Sequence, residues 1–180
     1  MKNLTRLSVV GVMGSSHEPH RDRSWRVGEW VARAGYHLLT GGGTGVMAAV
    51  SEAFTSVEDR LGIAIGIIPW SPEQGSGHPP RGYPNPWVEI AIKTHLEQVG
   101  VDGESALSRN HLNVLSSDVV VVLPGAEGTA SEARLALRYG RPCVAYLNDR
   151  TDMPDLPPAI HVERTFERVE EFVNDMCSHN

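Results

Sequence analysis

Lysine is nearly absent: of 16 basic residues in a chain of 180, only Lys2 and Lys93 are lysines, and the net charge is −6. No polybasic face is available to hold a phosphate backbone by counterion release, so neither nucleic acid nor an anionic membrane is expected as a partner. Cysteine is scarce as well. Cys143 and Cys177 are far apart and form no C-x-x-C, which excludes a disulfide-dependent miniprotein and suits a reducing cytoplasm. Long hydrophobic runs are missing too. The uncharged stretch 34–51 is broken by Gly35, Gly41, Gly42, Gly43 and Gly45, and no other run approaches the roughly 20 residues of a spanning helix. The apolar run near the N-terminus is only about seven residues and lacks an A-x-A cleavage site, so it reads as a first strand rather than a signal peptide. Aromatics make up 6% of the chain, hydrophobic residues 41% and charged residues 21%. That balance fits a single compact domain over residues 1–180.

Strand and helix signals alternate along the chain. Residues 7–13 (LSVVGVM) form a β-rich run, residues 22–34 carry apolar positions at helical spacing, and residues 36–39 return to strand. A helix follows over 46–54. Residues 61–68 (LGIAIGII) are then apolar at successive positions, as in a strand covered on both faces of a parallel sheet. Residues 70–86 hold five prolines, too many for a regular element, and read as a surface loop or lid. Beyond it the pattern predicts a strand over 88–92, a helix over 104–115, and a strand over 118–123 (DVVVVL). A helix over 129–139, a strand over 143–146, a proline-rich turn over 151–158 and a docking helix over 165–176 complete it. The expected fold class is α/β: a single-domain doubly wound, Rossmann-like parallel sheet with helices on both faces. Ligands in such folds sit at the carboxyl ends of the strands.

Two glycine-rich strand-to-helix turns stand out: Gly41-Gly42-Gly43-Thr44-Gly45 and Pro124-Gly125-Ala126-Glu127-Gly128-Thr129. Glycine lets backbone N–H groups come close to a ligand, and a helix N-terminus behind the turn adds partial positive charge, so each is a candidate anion cradle. Alternatively, glycine only makes the turn. Gly14-Ser15-Ser16 lies at the same sheet edge and offers hydroxyl and N–H donors. There is no Gly-Lys-Ser/Thr for a Walker loop. The second strand runs directly into GGGTG without the acid of a dinucleotide fingerprint, so no NAD is expected. No G-x-S-x-G or H-E-x-x-H occurs either. His17, His20 and Asp22 are interrupted by Pro19, which leaves no fixed ligand geometry, and no metal site is expected.

Arg109, Asn110 and Glu132 form the remaining conspicuous set. Arg109 precedes the DVVVVL strand and Glu132 follows it, which brings both toward one strand end. A guanidinium there binds phosphate or fixes a carboxylate. Two plainer roles compete: a surface arginine, and a capping box in which Thr129 is the N-cap and Glu132 the N3 residue.

The segments GGGTGVM and SRNHLNVLSSDVVVVLPGAEGTASE resemble the superfamily of the LONELY GUY phosphoribohydrolases, which includes the molybdenum cofactor carrier proteins. The likeness runs from the first strand to about Asn148. Enzymes of that family carry PGGxGTxxE with an Arg-Lys pair 23 positions before the final Glu, and Arg109 and Glu132 keep that separation. Pro124, Gly125, Gly128 and Thr129 match, whereas Ala126 replaces the second glycine and Asn110 replaces the lysine. Residues 85–89 (NPWVE) and the Arg-Asn pair are more similar to the carrier branch. The resemblance implies a cytoplasmic homodimer or homotetramer that carries the molybdenum cofactor, a phosphorylated pterin. The candidate binding residues are then Gly14, Ser15, Gly41, Gly42, Gly43, Thr44, Gly45, Arg109, Asn110, Gly125, Gly128 and Thr129. The alternative it implies is a phosphoribohydrolase that cleaves nucleoside 5′-monophosphates, with Arg109 and Glu132 catalytic.

Overall fold

The computed structural model describes residues 6–71, 78–98 and 100–178. Seven strands form one wholly parallel sheet: β1 (Val9–Met13), β2 (His37–Thr40), β3 (Ala64–Ile68), β4 (Ile90–Lys93), β5 (Val119–Val122), β6 (Cys143–Tyr146) and β7 (His161–Glu163). Their order in space is β4-β3-β2-β1-β5-β6-β7. Successive connections run outward one way from β1 to β4, then return to the other side of β1 for β5. That reversal is the topological switch point of a doubly wound sheet, and it opens a crevice at the carboxyl ends of β1 and β5.

Among the described residues five α-helices cover the two faces: α1 (Arg21–Arg33), α2 (Val46–Thr55), α3 (Asn110–Leu115), α4 (Glu127–Arg138) and α5 (Phe166–Cys177). The run of valines in β5 shows why a continuous apolar strand suits this position. Val119 and Val121 enter the core under α1, α2 and α5 with Val27, Val50, Phe54 and Val169. Val120 and Val122 enter the opposite core with Val114 of α3 and Ala133 of α4. All four valines are fully buried, and each contributes roughly 1.5–3 kcal/mol by leaving water.

Departures from the sequence expectation have local causes. The strand expected from residue 61 begins at Ala64, because Gly62 is pressed against the Tyr36 carbonyl and Leu61 is largely exposed. The helix expected over 104–115 is regular only from Asn110. Before it the chain forms a 3-10 turn, Gly100–Asp102, followed by linked turns. There Ser105 and Ser108 N–H groups bond to the Asp102 and Ser105 carbonyls, and the buried Ser108 hydroxyl accepts from Asn110 N–H. The last strand, β7, escaped the pattern because it is only three residues long and lies on an edge. Cys143 is buried as a core residue, and burial pushes its thiol pKa up to about 12. Among the described residues no helix is long and apolar enough to cross a membrane.

Candidate functional site

The loop after β1 and the loop after β5 meet at the switch point, where Ser15 N–H donates to the Pro124 carbonyl at 3.0 Å. Above them lies a cleft of about 400 Å³. Gly14, Ser15, Ser16 and His17 line one side, and Ala126, Glu127, Gly128, Thr129 and Glu132 the other. Arg109 and Asn110 lie at its base with Met47; Tyr83, Gly100 and Val101 complete the lining. Of the residues singled out in the sequence, Gly14, Ser15, Arg109, Asn110, Gly128, Thr129 and Glu132 thus come together.

Helix α4 begins at Glu127, with Ala126 as an N-cap that has no side chain to offer. Thr129 and Ala130 N–H groups return to the Ala126 carbonyl, and the N–H groups of Glu127 and Gly128 have no hydrogen-bond partner among the described residues. Orphan donors at the positive end of a helix dipole make an anion site, and here they border the cleft. The Glu127 carboxylate does not block them, because Arg134 binds it and Glu104 together. The capping-box expectation is therefore corrected. Thr129 stands at N3 rather than N-cap, and Glu132 lies one turn further in with its carboxyl turned away from the helix start.

Glu132 instead accepts from Asn113 Nδ2 at 2.7 Å, and Asn113 Oδ1 faces Arg109 Nη1 at 3.4 Å. Arg109 and Glu132 are joined through this buried amide and not by a direct ion pair. Arg109 Nη1 also donates to the Ile67 carbonyl at 2.9 Å, while its Nε is buried without a partner. At 5% exposure Arg109 is not a surface arginine, which overturns that expectation. Burial raises the Glu132 pKa above the ordinary carboxyl range, against the opposing pull of Arg109 and the Asn113 hydrogen bond. A carboxyl whose pKa is raised in this way holds its proton more tightly than an exposed one and is a better base once ionised, the property of a general acid–base. Asn110 is spent on structure: its Nδ2 donates to the Ser131 hydroxyl at 3.0 Å, and that hydroxyl donates to the Gly128 carbonyl at 2.7 Å.

The GGGTG turn has a different role from the one the sequence suggested. Gly41, Gly42, Gly43, Thr44 and Gly45 lie outside the cleft lining, as does Gly125. A Cβ on Gly41 would stand 2.0 Å from Arg109 Nη1, and one on Gly43 would stand 2.5 Å from the Tyr83 ring. Gly45, at φ 64°, is packed against the Ser15 carbonyl. Gly42 N–H is taken by Thr40, Thr44 donates to the Ser16 carbonyl, and the carbonyls of Gly42 and Gly43 are taken by Asn85. The turn is a second layer that seats the arginine, the tyrosine and the Ser15 loop. Asn113, Tyr83, Met47 and the Gly100–Asp102 turn were missed in the sequence. Asn113 had a legible signal, since a residue four positions after Arg109 shares its helical face. Among the described residues no three His, Cys, Asp or Glu groups gather as a metal site.

A family model, that of the SLOG cluster4 family, matches residues 7–170. The chain belongs to the SLOG cluster4 family. An uncharacterized protein of Archaeoglobus fulgidus is 29% identical over 173 residues, covering 95% of this chain and 93% of its own. Two solved structures superpose over nearly the whole SLOG chain. A molybdenum cofactor binding protein from Rippkaea orientalis has a TM-score of 0.72 at 28% identity, covering 96% of this chain and 99% of that one. The molybdenum cofactor carrier protein of Chlamydomonas reinhardtii has a TM-score of 0.70 at 25% identity, with the same coverage.

Proposed function

We propose that the protein is a carrier for a phosphorylated planar heterocycle, foremost the pterin of the molybdenum cofactor, held in the cleft at the β1/β5 switch point. The observation that carries this reading is the uncapped start of α4, where the Glu127 and Gly128 N–H groups border the cleft unpartnered. In this reading the phosphate lies on those donors with help from Thr129 and the Ser15 loop. Arg109 faces the ligand from the cleft base. The likeness to two proteins described as binding or carrying the molybdenum cofactor supports the choice of ligand.

One observation favours a second reading. Glu132 is a buried carboxyl with a raised pKa, linked to an arginine, and it borders the same cleft. Such a group suits hydrolysis of a nucleoside 5′-monophosphate, in which Glu132 stabilises an oxocarbenium-like centre and activates water. Incubation with AMP and N6-substituted AMP, followed by chromatography of released base, separates the two readings. The carrier reading predicts no turnover in the ordinary enzymatic range. Turnover that disappears in Glu132→Gln would sink it.

A homo-oligomer is part of the proposal. Leu107 and Leu115, which flank the Arg109 helix, are 48% and 41% exposed, and Leu137 of the adjacent α4 is 42% exposed. Together they are an apolar surface suited to a second copy. Light scattering that gives a 19.6 kDa particle at micromolar concentration would count against it.

A further inference from the structure

We propose that Tyr83 is the residue by which the cleft selects a ring-bearing phosphate over a ring-less one. The inference rests on the phosphate reading of the α4 end of the cleft and adds what the opposite wall does. Apart from the His17 imidazole at the mouth, Tyr83 carries the aromatic ring among the described lining residues. Its surroundings fix it in place. The ring lies against Gly43, where a Cβ would stand 2.5–2.6 Å from Cζ, Cε1 and the hydroxyl. The guanidinium of Arg109 lies 5.9 Å from the ring centroid.

The backbone that delivers Tyr83 is fastened just beyond it. Asn85 is 4% exposed and makes four bonds: its N–H to the Gly42 carbonyl at 2.8 Å, its Nδ2 to the Gly43 carbonyl at 2.9 Å, its Oδ1 from Trp87 N–H at 3.1 Å, and its carbonyl from Val88 N–H at 3.3 Å. Tyr83 N–H itself donates to the Pro80 carbonyl at 3.1 Å. A proline-rich segment is thus pinned onto a glycine turn so that the Tyr83 side chain lines the cleft. Among the described residues the Tyr83 hydroxyl has no hydrogen-bond partner, and the ring's seat there is its packing on Gly43.

A rigid aromatic wall gives a planar heterocycle a stacking partner that tolerates many ring types, whereas a sugar phosphate gains little from it. The glycine turn after β2, although outside the cleft lining, contributes to recognition by making room for this ring. The ligand class is therefore an extended planar heterocycle joined to a phosphate, with the ring toward Tyr83 and Met47 and the anion toward α4.

The test is calorimetric titration of the full chain with AMP, with 6-hydroxymethylpterin monophosphate and with ribose 5-phosphate, for the native protein and for Tyr83→Phe and Tyr83→Leu. Native protein should bind at least one ring-bearing phosphate more tightly than ribose 5-phosphate. Tyr83→Phe should keep that preference, and Tyr83→Leu should reduce it about tenfold, within the range for loss of one stacked ring, with ribose 5-phosphate affinity unchanged. A preference that survives in Tyr83→Leu, or native protein that binds all three equally, overturns the role of Tyr83 and leaves the phosphate site standing. Native protein that binds none of the three overturns the phosphate reading and this inference with it.

Discussion

The two glycine-rich turns begin alike, each after a central parallel strand and each opening a helix, yet they end in opposite roles. In the turn after β2 the Gly42 N–H, the Thr44 hydroxyl and the Gly42 and Gly43 carbonyls are spent on the protein, and the absent side chains make room for Arg109, Tyr83 and the Ser15 carbonyl. In the turn after β5 two N–H groups are left free, and a Cβ on Gly128 would find nothing closer than Gly100 Cα at 3.5 Å. Glycine in the first turn therefore answers a packing demand; in the second, Gly125 does the same against Thr129, whereas Gly128 leaves open space at the cleft. A glycine pattern alone does not separate these roles. What a side chain would meet at each position, and whether the turn borders the cleft, does.

The sharpest way to test this contrast is to add one methyl group to each turn. Gly45→Ala forces a non-glycine residue to φ 64° and drives its Cβ to 2.3 Å from a backbone carbonyl. Left-handed strain of about 1–2 kcal/mol and overpacking of about 1–3 kcal/mol together predict a stability loss of about 2–5 kcal/mol in urea unfolding. Arg109→Ala comes next. It should weaken a phosphorylated ligand by about 1.5–3 kcal/mol in calorimetry, and the burial of Arg109 adds a measurable stability loss. Equal weakening for the dephosphorylated ligand would show that the arginine does not grip the phosphate.

Glu132→Gln should produce a smaller, pH-dependent effect. The folded-state pKa of Glu132 is raised, so the folded chain holds its proton where the unfolded chain releases it. Native stability then falls as pH rises from the ordinary carboxyl value through the raised one. Glutamine retains an oxygen for Asn113 and lacks the titration, so the variant should gain on the native protein across that window. Parallel stability–pH curves would show that Glu132 titrates normally. Gly128→Ala should change stability least, within about 1 kcal/mol and toward greater stability at a helical position. It should nonetheless weaken phosphate binding, because the methyl enters the cleft. A Gly128→Ala protein that unfolds like Gly45→Ala would erase the distinction between the turns.

Much of this was legible in the sequence. Apolar runs such as DVVVVL marked a sheet covered on both sides, and the Arg109 to Glu132 spacing brought two distant residues to one cleft. Residues that act through geometry were harder to read. The α4 N-cap was misplaced by three residues because Thr129 and Glu132 spell a capping box, although the helix starts where no side chain can cap it. Leaving that end uncapped breaks a local rule, and sequence rules tend to fail where a site requires it. Tyr83 sat in a proline-rich loop without periodicity, and only its seat on Gly43 reveals where its ring lies.

The central claim, that phosphate is held by the α4 turn and not by the β2 turn, is tested most directly by amide chemical shifts. Nitrogen-15-labelled protein would be titrated with AMP and with 6-hydroxymethylpterin monophosphate. The account predicts the largest shifts at the Glu127 and Gly128 amides, with Gly42, whose N–H is held by Thr40, moving little. Dominant shifts at Gly41–Gly45 with Glu127 and Gly128 unmoved would contradict it.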